Sequence, residues 1–168
     1  MYARAEVAFG INALFGRTGP NQSQGPWDPT NAMDFIQYTH DMGYKISAWE
    51  FGRLLIYAIY DQSHQKLQWA CCIFMDLVYF VICGVIGNEL SGSGVGTQVQ
   101  AKQYATDVIA LRKIIEEVYN KDNEIPQLVA PDGFFDETWT NNFLQATIAT
   151  TSLSIPTIDV LSHHIYNL

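Results

Sequence analysis

Trp49-Glu50-Phe51-Gly52 and Gly87-Asn88-Glu89-Leu90-Ser91-Gly92-Ser93-Gly94 read as two parts of one unit. The first is a strand, and the second is an Asn-Glu pair with a Gly/Ser-rich loop suited to that strand's tip. Between them lies an apolar block, Arg53 to Gly87. Removing the block joins the chain as Trp-Glu-Phe-Gly-Asn-Glu-Leu, a continuous strand running into the Asn-Glu pair.

On either side of this interruption the chain alternates between strand and helix patterns. Val7 to Phe15 is a short apolar run and predicts a buried strand. A Gly/Pro/Asn/Gln-rich loop follows from Gly16 to Trp27. Asp28-Pro29 then suits a helix start, with Asp as N-cap and Pro at the first helical position. Met33, Ile36 and His40 share the expected apolar face, with Phe35 and Thr39 beside them, and Gly43 suits a left-handed cap. Tyr44 to Phe51 predicts the next strand. Beyond the Gly/Ser loop, Thr97 to Asn120 predicts a helix. Ala101, Tyr104, Val108, Leu111, Ile115 and Val118 form one stripe, and Lys102, Asp107, Arg112, Glu116 and Glu117 fall mostly off it. Ile125 to Pro131 predicts a strand, Asp136 to Ala146 a short helix and Thr157 to Tyr166 a last strand. This order implies a parallel sheet with crossover helices.

The block breaks that rhythm. Gln68 to Gly87 is apolar apart from Gln68 and Asp76. Its length is about enough to span a bilayer, but a central Asp76 would cost roughly 2.5–3.5 kcal/mol on insertion scales. The simplest expectation is an intron translated in frame. A GGT-type codon at Gly52 could supply the donor, and Ile86-Gly87 could hide a TAG acceptor. The competing expectation is a genuine membrane or partner segment, with Gln68 to Gly87 drawn as a helix. In either case Arg53 to Gly87 should form no integral layer of the sheet.

Composition narrows the function classes. The 168 residues carry a net charge of −8, with a pI near 4.7 and no Lys/Arg cluster, so a nucleic-acid partner is not expected. Cys71, Cys72 and Cys83 all lie in the block, and an odd count builds no complete disulfide framework. His163 and His164 are adjacent, no metal-ligand spacing appears, and neither metal nor cofactor is expected. Met1 to Glu6 contains no signal-peptide h-region, which suggests a chain missing its true start. A complete (β/α)8 barrel typically needs about 250 residues, so a barrel could be present here only in part.

With the block set aside, the chain resembles the N-terminal catalytic region of glycoside hydrolase family 79, the heparanase-like glycosidases, and most closely the plant-type members. The matching stretches are Phe9 to Leu14, Asp34 to Tyr38, Gly43 to Ile46, Trp49-Glu50, Gly87 to Gly94, Leu128 to Pro131 and His163-His164-Ile165-Tyr166. The segment Ala146 to Pro156 departs from the family pattern, which is shorter there. The resemblance implies an α/β fold, a partial (β/α)8 TIM barrel supplying about strands three to six, with 1–168 interrupted by the aberrant insert 53–87. It also implies a retaining mechanism on a glucuronic-acid-containing glycan or glucuronide. Localisation would be secreted or lysosomal/vacuolar, with membrane association as the alternative if the insert is an anchor.

Retaining glycosidases use two carboxyls, one protonating the leaving oxygen and one attacking the anomeric carbon. The resemblance assigns the acid/base role to Glu89, whose plainer alternative is a solvated loop Glu. Asn88 would meet the sugar 2-hydroxyl or simply turn the chain. His163, His164 and Tyr166 end the last strand; Tyr166 could bond the nucleophile and one His the substrate. Both His cannot play the same role, because adjacent strand residues point to opposite faces. Asn12 could bind substrate or close a turn. Asp132, Asp136 and Glu137 read as solvated loop residues and a helix N-cap. The family's nucleophile lies beyond the stretch matching His163-His164, and is therefore expected to be absent here.

Overall fold

In the computed structural model, residues 7–52, 57–61, 66–70, 90–91, 97–149 and 156–164 are described. They run in the order β1 (Ala8–Asn12), α1 (Thr30–Asp41), β2 (Ala48–Gly52), β3 (Tyr57–Asp61), β4 (Lys66–Ala70), α2 (Ala101–Val118), β5 (Gln127–Phe134), α3 (Glu137–Ile148) and β6 (Val160–His164). β1, β2, β5 and β6 form one sheet in that order, and every pairing is parallel. The chain is an α/β structure.

Strand residues alternate between faces, and the register sorts them. Ile11, Trp49, Phe51, Leu128 and Ala130 are buried on one face, in a single core with Ile36 of α1, Tyr104, Val108, Leu111 and Ile115 of α2, and Phe143 of α3. Each large side chain so buried contributes roughly 1.5–3 kcal/mol. The other face carries Gly10, Asn12, Ala48, Glu50, Gly52 and Val129, and Asn12, Glu50 and Val129 are only half-buried. The helices therefore cover one face and leave the other lined by small and polar residues.

α1 starts at Thr30 with Pro29, not Asp28, in the N-cap position, and Asp28 acts from two residues upstream of the first helical residue. Its Oδ1 accepts from the Thr30 hydroxyl (2.6 Å) and the Thr30 N–H (3.0 Å), which together hold its carboxyl below the usual range. The helix ends at Gly43, where φ is +70°. The Tyr44 N–H reaches the Thr39 carbonyl (3.0 Å) and the Gly43 N–H the His40 carbonyl (2.9 Å), a Schellman pattern. Met33 does not join the apolar face; it is exposed, and Ala32, Ile36 and Thr39 are the buried positions. The inward stripe is thus rotated by about one residue.

α2 starts at Ala101 rather than Thr97, because the backbone of Val99 is used for tertiary hydrogen bonds. The expected stripe is buried from Ala101 to Ile115. Asp107 and Arg112, expected off the stripe, are buried as well. β5 runs past Pro131 to Phe134, crossing a register shift between Pro131 and Gly133; a bulge of this kind tolerates a proline that lacks an N–H.

Inside the interrupting block, β3 and β4 pair antiparallel as a separate two-stranded sheet, from Tyr57↔Ala70 to Asp61↔Lys66. Gln68 to Ala70 thus lie in a strand, not at the start of a helix. Tyr57, Ile59, Tyr60 and Trp69 give this stretch its β-forming character. The remainder of the apolar run, 71–87, lies outside the described residues. Among the described residues no helix is long and apolar enough to cross a membrane.

Where α2 ends, the Tyr119 hydroxyl is buried beside Thr39 and Trp49 without a well-formed hydrogen bond among the described residues. Desolvation pushes its pKa above the usual phenol range, outweighing the opposing contacts with Thr39 and Trp49, and the Asp122 charge adds to the rise. The unfolded chain then ionises first. The contribution of Tyr119 to stability is full below about pH 10 and is lost as pH rises through the folded value. Denaturant titrations across this alkaline range should show a fall in stability that Tyr119→Phe reduces. An identical fall in both proteins would remove Tyr119 as its source.

Candidate active site at the carboxyl edge of the sheet

The carboxyl ends of the four parallel strands lie side by side. Asn12 pairs with Gly52, and Phe134 with His164. The Ala13 N–H extends the first pair by donating to the Gly52 carbonyl (2.7 Å). The Tyr104 hydroxyl reaches in from α2 to the carbonyls of Phe51 and Pro131, fastening β2 to β5 near their tips.

The loop following β1 is held onto α2. Arg17 donates to the carbonyls of Ala13 and Gly25 (both 2.7 Å) and to Asp107 Oδ2 (2.6 Å). The pair is almost fully buried. Asp107 Oδ1 also accepts from Gln103 (2.9 Å) and from the Trp27 N–H (3.4 Å), and the Trp27 indole donates to the Asn12 carbonyl (2.9 Å). Gly16 has a φ of +76°, and a Cβ there would come within 2.4 Å of the Asp28 Cβ, so this turn accepts only glycine without rearrangement.

Leu90 and Ser91, which follow Glu89 in the chain, are buried at the same edge. Ser91 Oγ donates to the Phe134 carbonyl at the tip of β5 (2.8 Å). The Leu90 carbonyl accepts from the Val99 N–H (3.0 Å). The Val99 carbonyl accepts from the Trp139 indole (2.9 Å), and the Thr97 hydroxyl donates to the Asn21 carbonyl (2.8 Å).

The expected site residues separate as follows. Asn12 stands at the tip of β1, where its Oδ1 accepts from the Leu14 N–H (3.0 Å) and closes a turn. His163 is exposed, 6.1 Å from the ring of Phe135, in a recess shared with Thr140 of α3 and Leu161. That recess lies on the helix-covered side of the sheet, opposite Asn12. The backbone of His164 ends β6 beside Phe134. Asn88, Glu89 and Tyr166 lie outside the described residues. Asp136 is the N-cap of α3, accepting from the Trp139 N–H (2.7 Å). Among the described residues no three His, Cys, Asp or Glu side chains gather as a metal site.

Reacting groups of parallel β/α enzymes collect at this edge, and the sequence in question matches the glycosyl hydrolase family 79, N-terminal domain over residues 2–73 and 74–168. The chain belongs to glycosyl hydrolase family 79. This family 79 chain is 38% identical over 167 residues to Heparanase-like protein 2 of Arabidopsis thaliana and 37% identical over 168 residues to Heparanase-like protein 1 of the same plant. It is 26% identical over 179 residues to Baicalin-beta-D-glucuronidase of Scutellaria baicalensis. Each match covers 98% of the chain but only 23%, 23% and 26% of the relative, so the chain spans about a quarter of the length of these curated relatives.

Sequence reading of the family 79 chain missed two groups that shape the edge and one on the face leading to it. Tyr104 appears in the sequence only as a member of an apolar stripe. Ser91 appears only as loop composition. Glu50, half-buried on the same face as Asn12, could have been found from strand alternation alone.

Proposed function

We propose that the chain forms strands three to six of a (β/α)8 barrel and supplies the acid/base of a retaining glycosidase that acts on a glucuronic-acid-containing glycan or glucuronide. The observation that carries this is the anchoring of Ser91, two residues past Glu89, to the tip of β5. It supports a position for the Asn-Glu loop at the strands' carboxyl ends, next to the tips of β1 and β2. The name of the Scutellaria relative, a β-D-glucuronidase, supports the choice of sugar.

Glu89 would protonate the glycosidic oxygen as a second carboxylate, about 5–5.5 Å away, attacks the anomeric carbon. The aglycone leaves, and a glycosyl-enzyme bond forms. Water, deprotonated by Glu89, then displaces the sugar and restores both carboxyls. Asn88 would hold the 2-hydroxyl, Asn12 and His164 would line the sugar site, with His163 left on the opposite side of the sheet, and Tyr166 would bond the nucleophile. The chemistry calls for no metal or cofactor. Secretion, or delivery to a lysosome or vacuole, accompanies this function.

The nucleophile is placed beyond Tyr166, so the 168-residue chain alone should not turn over 4-nitrophenyl β-glucuronide. In a full-length protein with Gly52 joined to Asn88, activity should appear. Glu89→Gln should then lower it by about 10²-fold or more on poor leaving groups. Turnover by the 168-residue chain that vanishes with Glu89→Gln would place a nucleophile within these residues and overturn the partial-barrel reading.

The block Arg53 to Gly87 is proposed as a translated intron. Transcripts joining the Gly52 and Asn88 codons would support this directly. Deleting Arg53 to Gly87 should raise the soluble fraction on expression, because a long apolar run is removed. Loss of expression on deletion would make the block structural.

A further inference from the structure

We infer that Ser91 and Trp139 are positioning residues that hold the neck of the Gly/Ser loop, whose first residues, Leu90-Ser91, directly follow Glu89 in the chain. This role presupposes Glu89 as the acid/base. The neck consists of Leu90-Ser91 on one side and Thr97 to Val99 on the other, closed by the Val99 N–H to the Leu90 carbonyl (3.0 Å). Each side is fixed to a different element. Ser91 Oγ holds the first side to the Phe134 carbonyl of β5 (2.8 Å), and the Trp139 indole of α3 holds the second through the Val99 carbonyl (2.9 Å).

The anchors are rigid. Leu90, Ser91 and Val99 are buried, and so is Trp139. The Trp139 ring stacks on Phe143 at 5.4 Å and meets the edge of Tyr104 at 5.5 Å. Tyr104 is the residue that ties the tips of β2 and β5. One packed cluster thus sets both the strand tips and the neck of the loop. A serine buried in a Gly/Ser-rich loop has no packing value that alanine lacks, so its hydroxyl acts by fixing position. Catalytic groups must be held within about 0.5 Å of the productive geometry, and an error of about 1 Å can cost 10²-fold.

The test has two arms. In the 168-residue chain, Ser91→Ala and Trp139→Phe should each speed exchange of the Val99 amide proton by about tenfold or more, while Ser91→Thr, which keeps the hydroxyl, should not. In the full-length protein with Gly52 joined to Asn88, kcat/KM is measured on aryl β-glucuronides of graded leaving-group acidity. Ser91→Ala should lose about tenfold or more on phenyl β-glucuronide and about threefold or less on 4-nitrophenyl β-glucuronide, with Ser91→Thr restoring the poor substrate. Equal losses on both substrates, or none, overturn the positioning role when Glu89→Gln in parallel shows the steep leaving-group dependence. If Glu89→Gln lacks that dependence, Glu89 is not the acid, and the positioning role falls with it. Trp139→Phe provides the same comparison should Ser91→Ala fail to fold.

Discussion

Asp107→Ala should destabilise the chain by about 3–5 kcal/mol, the cost of leaving a buried charge without its partner. The Arg17 guanidinium is fully buried, and its Nη2 donates to Asp107 (2.6 Å). Its other bonds, to the Ala13 and Gly25 carbonyls, carry no compensating charge. The Trp27 N–H and the Gln103 amide lose their acceptor as well. Small domains have about 5–15 kcal/mol of stability in total, so the loss should be plain in urea unfolding. Arg17→Met combined with Asp107→Leu should recover part of it, because an apolar pair of similar volume removes both charge-desolvation costs, while the Trp27 N–H and the Ala13 and Gly25 carbonyls still lose their partners. A loss below about 1 kcal/mol for Asp107→Ala would mean the pair is hydrated and worth no more than a surface one.

Arg112→Leu should be the next most damaging change, at about 2–4 kcal/mol. The buried Arg112 donates through Nε to the Thr157 carbonyl (3.0 Å) and through Nη2 to Asp159 Oδ2. The same carboxylate oxygen accepts the Leu128 N–H (2.7 Å) at the start of β5. One guanidinium therefore joins α2 to the segment leading into β6. The loss should be smaller than for Asp107→Ala because the Asp159 side chain is 27% exposed and water can take over part of its charge. Arg112→Lys should recover only part, since a single ammonium cannot reproduce the fork. Wild-type stability in Arg112→Lys, measured in the same urea series, would mean that charge alone suffices.

The elements whose cause is local were legible in the sequence. Gly43 ends α1 and Asp136 begins α3 because glycine at positive φ and a carboxylate facing free N–H groups act within a few residues. The parallel sheet followed from the alternation of strand and helix patterns. Asp107 and Arg112 were not legible, since a charge on a helix normally marks its wet side. Their partners, Arg17 and Asp159, are 90 and 47 residues away. Thr97 to Gln100 read as helix because their bonds to Leu90, Trp139 and Asn21 are tertiary. Met33 was misplaced because stripe counting cannot fix a helix's rotation to within one residue. At the edge, pattern placed Asn12 at a strand tip, while the Asn-Glu pair is an expectation carried by the resemblance and lies outside the described residues. Ser91 and Tyr104 act through backbone carbonyls of other strands, and sequence carries no trace of that.

The pairing of β2 with β5 joins Ala48 to Gln127, so those partners must find each other across about 80 residues, or about 45 without Arg53 to Gly87. For a flexible chain the entropy of closing such a loop grows only with the logarithm of its length, and the longer connection costs about 0.5 kcal/mol more. Inserted length is therefore nearly free in equilibrium terms. Its burden falls on kinetics, because parallel pairing between distant segments forms slowly and leaves apolar surface open to other chains while it does. A sheet joined in this way can carry a long connection between two neighbouring strands and still close.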